Sequence, residues 1–302
     1  QTGLRMNENS IGAVTQRILS VYANWSKDTT IDEMRSDFTN LCRDDTVEAD
    51  INDLTIEGIP CRWISAPGQS EESIFLYLHG GGFQLGSLDS HTGLTARISA
   101  ASGMRGLVVD YRLAPEHKFP AALDDVYTVY NWLIDQGFTG SDITLCGDSA
   151  GGGLCLSLMA SLVSTDQPLP AGAALLSPWT DLTLSGDSYD TRSSLDPLNH
   201  KSMLRQVARS YLGRTGDPLN SLTSPLFANH KGLPPLLIQV GDHEVVLDDS
   251  IRLAKAVQNA GVDVQLEVAP YMIHVYQLYA DDLVESRRAI DRIGGFLRKC
   301  IA

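Results

Sequence analysis

The sequence predicts an α/β fold in which helices flank a mostly parallel central sheet. From residue 73 onward, short apolar runs alternate with stretches of helical periodicity. Apolar runs without polar alternation are typical of parallel strands buried on both faces, and the intervening helices supply the covering layers. The apolar runs cover residues 74–78, 107–109, 143–145, 173–176, 236–240 and 264–268, and the helical stretches cover residues 92–101, 121–136, 150–163, 247–260 and 281–297.

The region before the parallel sheet has a different pattern. Helical spacing over residues 7–44 predicts two helices. Residues 46–67 contain strand-like runs, with turn signals at Gly58 and Pro60. This pattern predicts that the sheet begins with antiparallel strands.

Three consecutive glycines follow the first apolar run, directly after His79. Glycines cost chain entropy, so three in a row indicate that the backbone must approach something closely. H-G-G-G is also the form in which lipases and esterases supply N–H groups to an oxyanion. Gly81 and Gly82 are therefore candidate oxyanion donors.

The run G-D-S-A-G at residues 147–151 ends another apolar run and opens a helical pattern. Glycines two residues either side of Ser149 would allow a sharp strand-to-helix turn that exposes the serine hydroxyl, as in a nucleophile elbow. The new helix would direct its N-terminal N–H groups, that of Ala150 included, at a developing oxyanion. Taken alone, the pentapeptide fits an ordinary strand-to-helix turn equally well, so its partners decide the interpretation.

A nucleophilic serine needs a histidine base and a carboxylate, which follow the serine in a fold of this kind. His274 comes after the apolar run at residues 264–268 and a short turn, where a loop over the serine would lie. His200, His230 and His243 also follow Ser149, and the first two lie in a polar segment, where solvated histidines are common. His274 is therefore the predicted base.

Four acids follow the apolar run at residues 236–240 and compete for the role of orienting carboxylate. Asp248 and Asp249 precede a helical pattern, so capping or interaction with the helix dipole explains them. Asp242 and Glu244 lie in the loop itself. The residue pattern alone does not separate these two.

Residues 182–234 interrupt the alternation of strands and helices. The segment is rich in Ser, Asp, Asn and Gly, but it retains apolar residues and an amphipathic stretch at residues 203–212. A long interruption of this kind is better explained as a lid than as a disordered linker. We predict a helical cap segment at residues 1–45 and a cap insertion at residues 183–215, over a main domain of residues 46–302.

Four motifs in this order resemble the bacterial hormone-sensitive-lipase family of α/β-hydrolase carboxylesterases. They are H-G-G-G-F at residues 79–83, D-Y-R-L-A-P-E-H at residues 110–117 with F-P-A-A at residues 119–122, G-D-S-A-G-G at residues 147–152, and S-P-W-T-D-L at residues 177–182. The resemblance covers about residues 70–280. It implies an α/β-hydrolase fold with a helical cap and a catalytic domain at residues 46–302.

The resemblance also implies roles for individual residues. Ser149 would be the nucleophile and His274 the base, and the oxyanion donors would be Gly81, Gly82 and Ala150. Two polar residues of these motifs, His79 and Asp148, would support the glycine loop and the elbow rather than react.

The orienting acid departs from the family pattern. The family's usual D-P-L-x-D-E places an aspartate where Glu244 stands. Glutamate is one methylene longer but can still accept the imidazole N–H, so Glu244 is preferred and Asp248 is the second choice. The usual His-Gly-Phe is likewise replaced, since His274 is followed by Val275 and Tyr276.

The implied function is a serine carboxylesterase that hydrolyses short- to medium-chain esters through an acyl-enzyme on Ser149, without metal or organic cofactor. The alternatives are a lactone or amide hydrolase with the same triad and a non-catalytic small-molecule-binding relative. Side chains that flank catalytic positions are expected to line the substrate pocket, although core packing explains each equally well. These side chains are Phe83, Leu85, Met272 and Ile273.

Composition limits the partners. A net charge of −14 excludes polyanions such as nucleic acid, since a binding surface would need clustered Lys and Arg. No apolar run is long enough to cross a bilayer, and residues 1–20 lack the apolar core of a signal peptide. Five cysteines without a C-x-x-C pair predict buried thiols. We expect a cytoplasmic enzyme acting on a small-molecule ester, and the resemblance implies a homodimer.

Overall fold

The computed structural model describes residues 2–301, without the side chains of residues 2–9 and 71. Eight strands of this region form one sheet in the order β1-β2-β4-β3-β5-β6-β7-β8. The strands are β1 (Asp50–Ile56), β2 (Ile59–Ser65), β3 (Ser70–Leu78), β4 (Met104–Val109), β5 (Ile143–Asp148), β6 (Gly172–Leu176), β7 (Leu236–Gly241) and β8 (Val264–Ala269).

The predicted α/β-hydrolase class is confirmed by this sheet. Strand β2 pairs antiparallel with β1 and β4, and every other pairing is parallel. Strand β1 pairs with β2 along its whole length, and both strands lie within the strand-like region predicted at residues 46–67. Strands β5, β6 and β7 are buried along their whole length, as their unbroken apolar runs require.

Helices cover both faces of the sheet, and two more precede it. They are α1 (Thr2–Tyr22), α2 (Ile31–Cys42), α3 (Leu88–Ser102), α4 (Ala121–Asp135), α5 (Ala150–Ser164), α6 (Ser188–Thr191), α7 (Lys201–Leu212), α8 (Leu247–Asn259) and α9 (Val284–Ile301). Helices α3 and α9 share one core cluster with the sheet, while α4, α5 and α8 share the cluster on its other face. No helix within residues 2–301 combines the length and the apolar character needed to span a membrane.

The segment between β6 and β7 contains the amphipathic helix predicted from the sequence. Helix α7 buries Leu204, Ala208 and Tyr211 against the core and exposes Ser202, Arg205 and Arg209. Since parallel strands present their carboxyl ends at one edge of the sheet, the loops after β5, β7 and β8 converge beside this segment.

Candidate active site

Ser149 lies at the sharp turn between β5 and α5. Its backbone has φ 51° and ψ −120°, a positive φ that costs a non-glycine residue about 1–3 kcal/mol. Hydrogen bonds hold the turn: Ser149 N–H donates to the Leu176 carbonyl at 2.8 Å, and the Ser149 carbonyl accepts from Trp179 N–H at 2.9 Å. The surrounding sheet therefore maintains the strain.

The two glycines of G-D-S-A-G are required by close backbone contacts. A Cβ atom on Gly147 would lie 2.7 Å from the Gly151 carbonyl oxygen, and one on Gly151 would collide with the Leu78 carbonyl oxygen. Helix α5 thus begins directly against the end of β3. Any larger side chain at either position would move Ser149.

A chain of hydrogen bonds joins the serine, the predicted base and one of the four candidate acids. His274 Nε2 lies 2.9 Å from Ser149 Oγ, and His274 Nδ1 lies 2.6 Å from Glu244 Oε2. The histidine follows β8 and the glutamate follows β7, so the ends of two neighbouring strands position these two residues next to each other. This is the geometry in which imidazole can take a proton from a serine hydroxyl.

The second carboxylate oxygen of Glu244 is also fully engaged. It accepts hydrogen bonds from Ser177 Oγ at 2.7 Å and from Gly241 N–H. Ser177 Oγ in turn accepts from Val275 N–H at 3.1 Å, which ties the glutamate to the residue after His274. Sequence reasoning missed Ser177, although it is the first residue of the S-P-W-T-D-L motif.

Burial sets the electrostatics of the pair. Glu244 is fully buried, and this burial raises the pKa of its carboxyl group. Burial opposes the protonated form of His274, but the charge and hydrogen bond of Glu244 outweigh it and hold the pKa of His274 above its ordinary value. The glutamate therefore strengthens the imidazole as a base.

The other three acids are engaged elsewhere. Asp242 Oδ1 accepts from the N–H of Tyr271 at 2.6 Å, and Asp248 Oδ2 accepts from the N–H of Ser188 at 2.9 Å. Asp249 is fully buried and accepts the N–H groups of residues 180 and 181 at 2.8 and 2.9 Å. Each of these contacts fixes a loop, so none of the three acids is available to His274.

Three backbone N–H groups face the same region and are free to bind an anion. Gly81 and Gly82 have φ values of 115° and 63°, which favour glycine. Ala150 is the first residue of α5, where the helix dipole favours negative charge. Within residues 2–301, none of these three N–H groups donates a hydrogen bond to another group of the protein.

Asp148 links the glycine loop at residues 80–82 to the turn at Ser149. Its buried carboxylate accepts from Tyr77 Oη at 2.8 Å and from Gly80 N–H at 2.9 Å, and His91 Nε2 lies 3.2 Å from it. His79 stacks on Tyr111 with ring centroids 4.3 Å apart, and burial, with the neighbouring His91, lowers the pKa of His79 to about 4. Neither Tyr77 nor His91 stands in a motif that the sequence singled out.

A cavity of about 420 Å³ opens onto the serine. Its floor consists of Gly81, Gly82, Ser149 and His274, and helices roof it. The roof side chains come from α2 and α7 together with the chain just after α1: Trp25, Ile31, Met34, Phe38, Met203 and Val207. This volume is within the range of small-molecule sites.

Of the four predicted pocket residues, Leu85 lines the cavity and the other three do not. Phe83 has a positive φ that directs its ring into the core. There the ring stacks on that of Tyr211, with ring centroids 3.8 Å apart. Met272 and Ile273 pack behind His274 in a separate apolar cluster. Proximity in sequence to a predicted catalytic residue did not identify these side chains as pocket walls, because consecutive loop residues point in different directions.

Comparison with known proteins identifies relatives over most of the chain. Residues 75–278 match a family described as alpha/beta hydrolase fold. An acetyl-hydrolase of Streptomyces hygroscopicus is 42% identical over 245 residues, which is 81% of each chain. An esterase of Acinetobacter venetianus is 34% identical over 267 residues, 87% of each. A crystal structure of an esterase from the bacterial hormone-sensitive lipase family superposes with a TM-score of 0.93 at 41% identity, covering 97% of this chain and 99% of the other.

Proposed function

Because the chain belongs to the α/β-hydrolase fold family, we propose that it hydrolyses carboxylic esters through an acyl-enzyme on Ser149. Within that family it resembles the bacterial hormone-sensitive lipases. Esterases and an acetyl-hydrolase are among the proteins to which it is similar. The observation that carries the proposal is the continuous hydrogen-bonded chain from Ser149 through His274 to Glu244, at 2.9 and 2.6 Å.

In the first half of the proposed reaction, Ser149 Oγ attacks the ester carbonyl while His274 Nε2 takes the serine proton. The buried Glu244 carboxylate stabilises the imidazolium that results. The N–H groups of Gly81, Gly82 and Ala150 bind the oxygen that becomes negative. The intermediate then collapses: the ester C–O bond breaks, and His274 gives its proton to the leaving alcohol.

In the second half, water replaces the alcohol. His274 takes a proton from water, and the hydroxide oxygen attacks the acyl carbonyl in the same oxyanion site. The bond to Ser149 Oγ breaks, the serine regains a proton from His274, and the carboxylic acid leaves. Both halves use the same groups, so the cycle closes with the enzyme in its starting state.

The size of the cavity supports a preference for short to medium acyl chains. A volume of about 420 Å³ lies toward the lower end of small-molecule sites. Because the cavity is roofed by helices, it favours separate small molecules over an ester at an oil surface. Residues 1–45 and 183–215 would then act as a cap, which is supported by the side chains that α2 and α7 contribute to the cavity wall.

The decisive experiment measures hydrolysis of p-nitrophenyl esters from acetate to laurate. Ser149→Ala should lose activity by roughly 10⁴-fold or more, because the nucleophile is absent. Ser164→Ala, at the exposed end of the same helix, is the matched control and should keep wild-type rates. Circular dichroism would establish that both variants fold.

The outcomes separate the candidate functions. Ester turnover that survives in Ser149→Ala would refute the proposed nucleophile. Turnover of lactones or amides but not of esters would favour a lactone or amide hydrolase with the same groups. Binding without turnover of any of these would favour a non-catalytic relative.

A homodimer is proposed from the edge of the sheet. Strand β8 is an edge strand, and it exposes Leu266 and Val268, with 36% and 41% of their surfaces accessible. Exposed apolar edge strands readily pair with another copy. Sedimentation of wild type against Val268→Lys tests this, and a wild-type monomer would refute it. The cytoplasmic location stays a prediction.

A further inference from the structure

The roof of the cavity is mostly apolar, and its polar residues include two whose side chains lack a hydrogen-bond partner within residues 2–301. Asn199 and Tyr22 both line the cavity that opens onto Ser149. Unpaired polar groups in a binding cavity are informative because they are satisfied when a ligand supplies the missing partner.

Asn199 is the more buried of the two, with 9% of its surface exposed. Its Nδ2 is buried and makes no hydrogen bond within residues 2–301. Leaving such a group unpaired is unfavourable, because it loses its hydrogen bonds to water without gaining any in the protein. A flip of the amide exchanges its donor and acceptor ends, so the same side chain can serve a ligand hydroxyl or a ligand carbonyl.

The backbone of Asn199 is held firmly beside the proposed triad. Asp196 Oδ1 accepts the N–H groups of Leu198 and Asn199, both at 2.9 Å. Asp196 Oδ2 accepts the N–H of Val245, the residue after Glu244, at 2.9 Å. One carboxylate thus fixes the position of the asparagine relative to the carboxylate that contacts His274.

Tyr22 approaches the cavity from the end of α1. Its ring stacks on Trp25 with centroids 4.4 Å apart, and its hydroxyl makes no hydrogen bond with any described group. Burial, followed by the nearby Cys42 and Asp196, raises the pKa of Tyr22. The hydroxyl therefore stays protonated and can both donate and accept.

Both residues lie on the His274 side of the serine. Leu198 belongs to the apolar cluster that contains Ile273, the residue before His274, and Tyr22 packs against the same cluster. Helix α7 borders the oxyanion side: a Cβ atom on Gly82 would lie 2.8 Å from Val207 Cγ1, and Gln206 and Ser210 of this helix also line the cavity.

The proposed reaction indicates which part of the ester lies on the His274 side of Ser149. His274 must protonate the departing alcohol oxygen, so the alcohol portion of the ester leaves toward His274. A polar group on that side contacts the alcohol portion rather than the oxyanion.

We propose that Tyr22 and Asn199 form a polar subsite that binds an oxygen atom in the alcohol portion of the substrate. The favoured substrates are esters of diols, polyols or other oxygen-bearing alcohols, in preference to esters of plain alkyl alcohols. This proposal rests on the proposed esterase function and adds its alcohol selectivity.

The test uses two esters with the same acyl group and the same number of heavy atoms: 2-hydroxyethyl butanoate and propyl butanoate. The measured quantity is the ratio of their kcat/KM values. Tyr22→Phe and Asn199→Leu should each lower the hydroxyethyl-to-propyl ratio by roughly 3- to 10-fold, the worth of one net hydrogen bond. The change should lie mainly in KM for the hydroxyethyl ester.

Tyr127→Phe is the matched control, because its hydroxyl contacts Thr165 on the outside of the protein. This variant should keep the wild-type ratio. An unchanged ratio in both Tyr22→Phe and Asn199→Leu, with both esters still hydrolysed, overturns the subsite alone. If the wild type hydrolyses neither ester, the proposed esterase function fails and the subsite falls with it.

Discussion

The floor and the roof of the cavity are built in different ways. In the floor, the turn at Ser149 is held by backbone hydrogen bonds, and both oxygens of Glu244 have partners. In the roof, α2 and α7 contribute side chains, Asn199 Nδ2 is buried without a partner, and the Tyr22 hydroxyl makes no hydrogen bond with a described group. The groups of the floor are thus held in fixed positions by the protein, while the roof has polar groups that a ligand could hydrogen-bond.

This difference suggests a division of labour. Floor positions are fixed by close backbone contacts, so a small change there should alter the rate of the chemical step. Roof positions are fixed by side-chain packing, so a change there should alter which ester binds and how tightly. Substitutions in the two regions therefore test whether rate and ester preference separate in this way.

Glu244→Gln should reduce kcat by roughly 10³- to 10⁴-fold. The oxygen beside Ser177 and Gly241 must accept two hydrogen bonds, so the amide oxygen takes that position and the amide NH₂ faces His274 Nδ1. The imidazole then carries its proton on Nε2 and cannot accept the proton of Ser149. Steady-state hydrolysis of p-nitrophenyl butyrate measures the loss.

Asp248→Asn is the control for that substitution. The side chain accepts from the N–H of Ser188, which an asparagine oxygen can also do. We expect kcat within about threefold of wild type, since the change is isosteric and remote from His274. A larger loss in Asp248→Asn than in Glu244→Gln would refute the assignment of the acid.

Gly82→Ala should reduce kcat by roughly 10- to 100-fold with a folded protein. Alanine at a φ of 63° is strained, so the loop would move and displace an N–H group from the oxyanion position. Val207→Ala alone should change kcat little, because it alters the roof. If the double variant recovers wild-type kcat, the collision with Val207 and not the loop position caused the loss.

The pH dependence of kcat/KM should reveal the charge of Glu244. His274 must be neutral to act as base, so activity falls as the pH drops through the pKa of His274, which lies above the ordinary value of about 6.5. In Glu244→Gln the charge that raises this pKa is gone while burial remains. The acid limb should therefore move to lower pH, and a limb that stays in place would contradict the pairing.

Met203→Ala should have the smallest effect on rate. The side chain lines the cavity from α7, so its removal enlarges the space available to substrate. We expect the optimum among p-nitrophenyl esters to shift to longer acyl chains, with changes of about two- to tenfold in kcat/KM for individual esters. An unchanged chain-length profile would show that α7 does not limit the substrate.

The floor could be predicted from the sequence because its geometry demands particular residues. Only glycine fits at position 151 against the Leu78 carbonyl, so the motif marks the elbow wherever the chain makes that turn. The strands were predictable for a similar reason, because burial on both faces requires unbroken apolar runs. The expected roles of Ser149 and His274 followed from their positions after such runs.

The carboxylate that contacts His274 was harder to predict, because the other candidate acids form structural hydrogen bonds that are visible only in the folded protein. Asp248 accepts a hydrogen bond from the N–H of Ser188, which lies 60 residues away in the chain, and no local sequence pattern predicts that contact. Glu244 could be preferred only through the family resemblance. Ser177 was overlooked because a single serine at a strand end is common in any α/β protein.

The roof could not be predicted in detail. Tyr22 and Asn199 come from distant segments and meet only around the cavity, and their roles need no special backbone geometry. The mistaken assignment of Phe83 to the pocket has the same origin, since its positive φ turns the ring toward Tyr211. Side-chain direction in irregular loops is set by tertiary packing.

The most direct test of the central claim is covalent labelling with diethyl p-nitrophenyl phosphate, followed by peptide mass mapping. An activated Ser149 attacks the phosphorus and releases p-nitrophenolate, so one phosphoryl group per chain should appear on Ser149 as esterase activity disappears. Glu244→Gln should be labelled far more slowly, and Ser149→Ala not at all. Complete inactivation with the label on another residue, or full activity in enzyme labelled on Ser149, would contradict the mechanism.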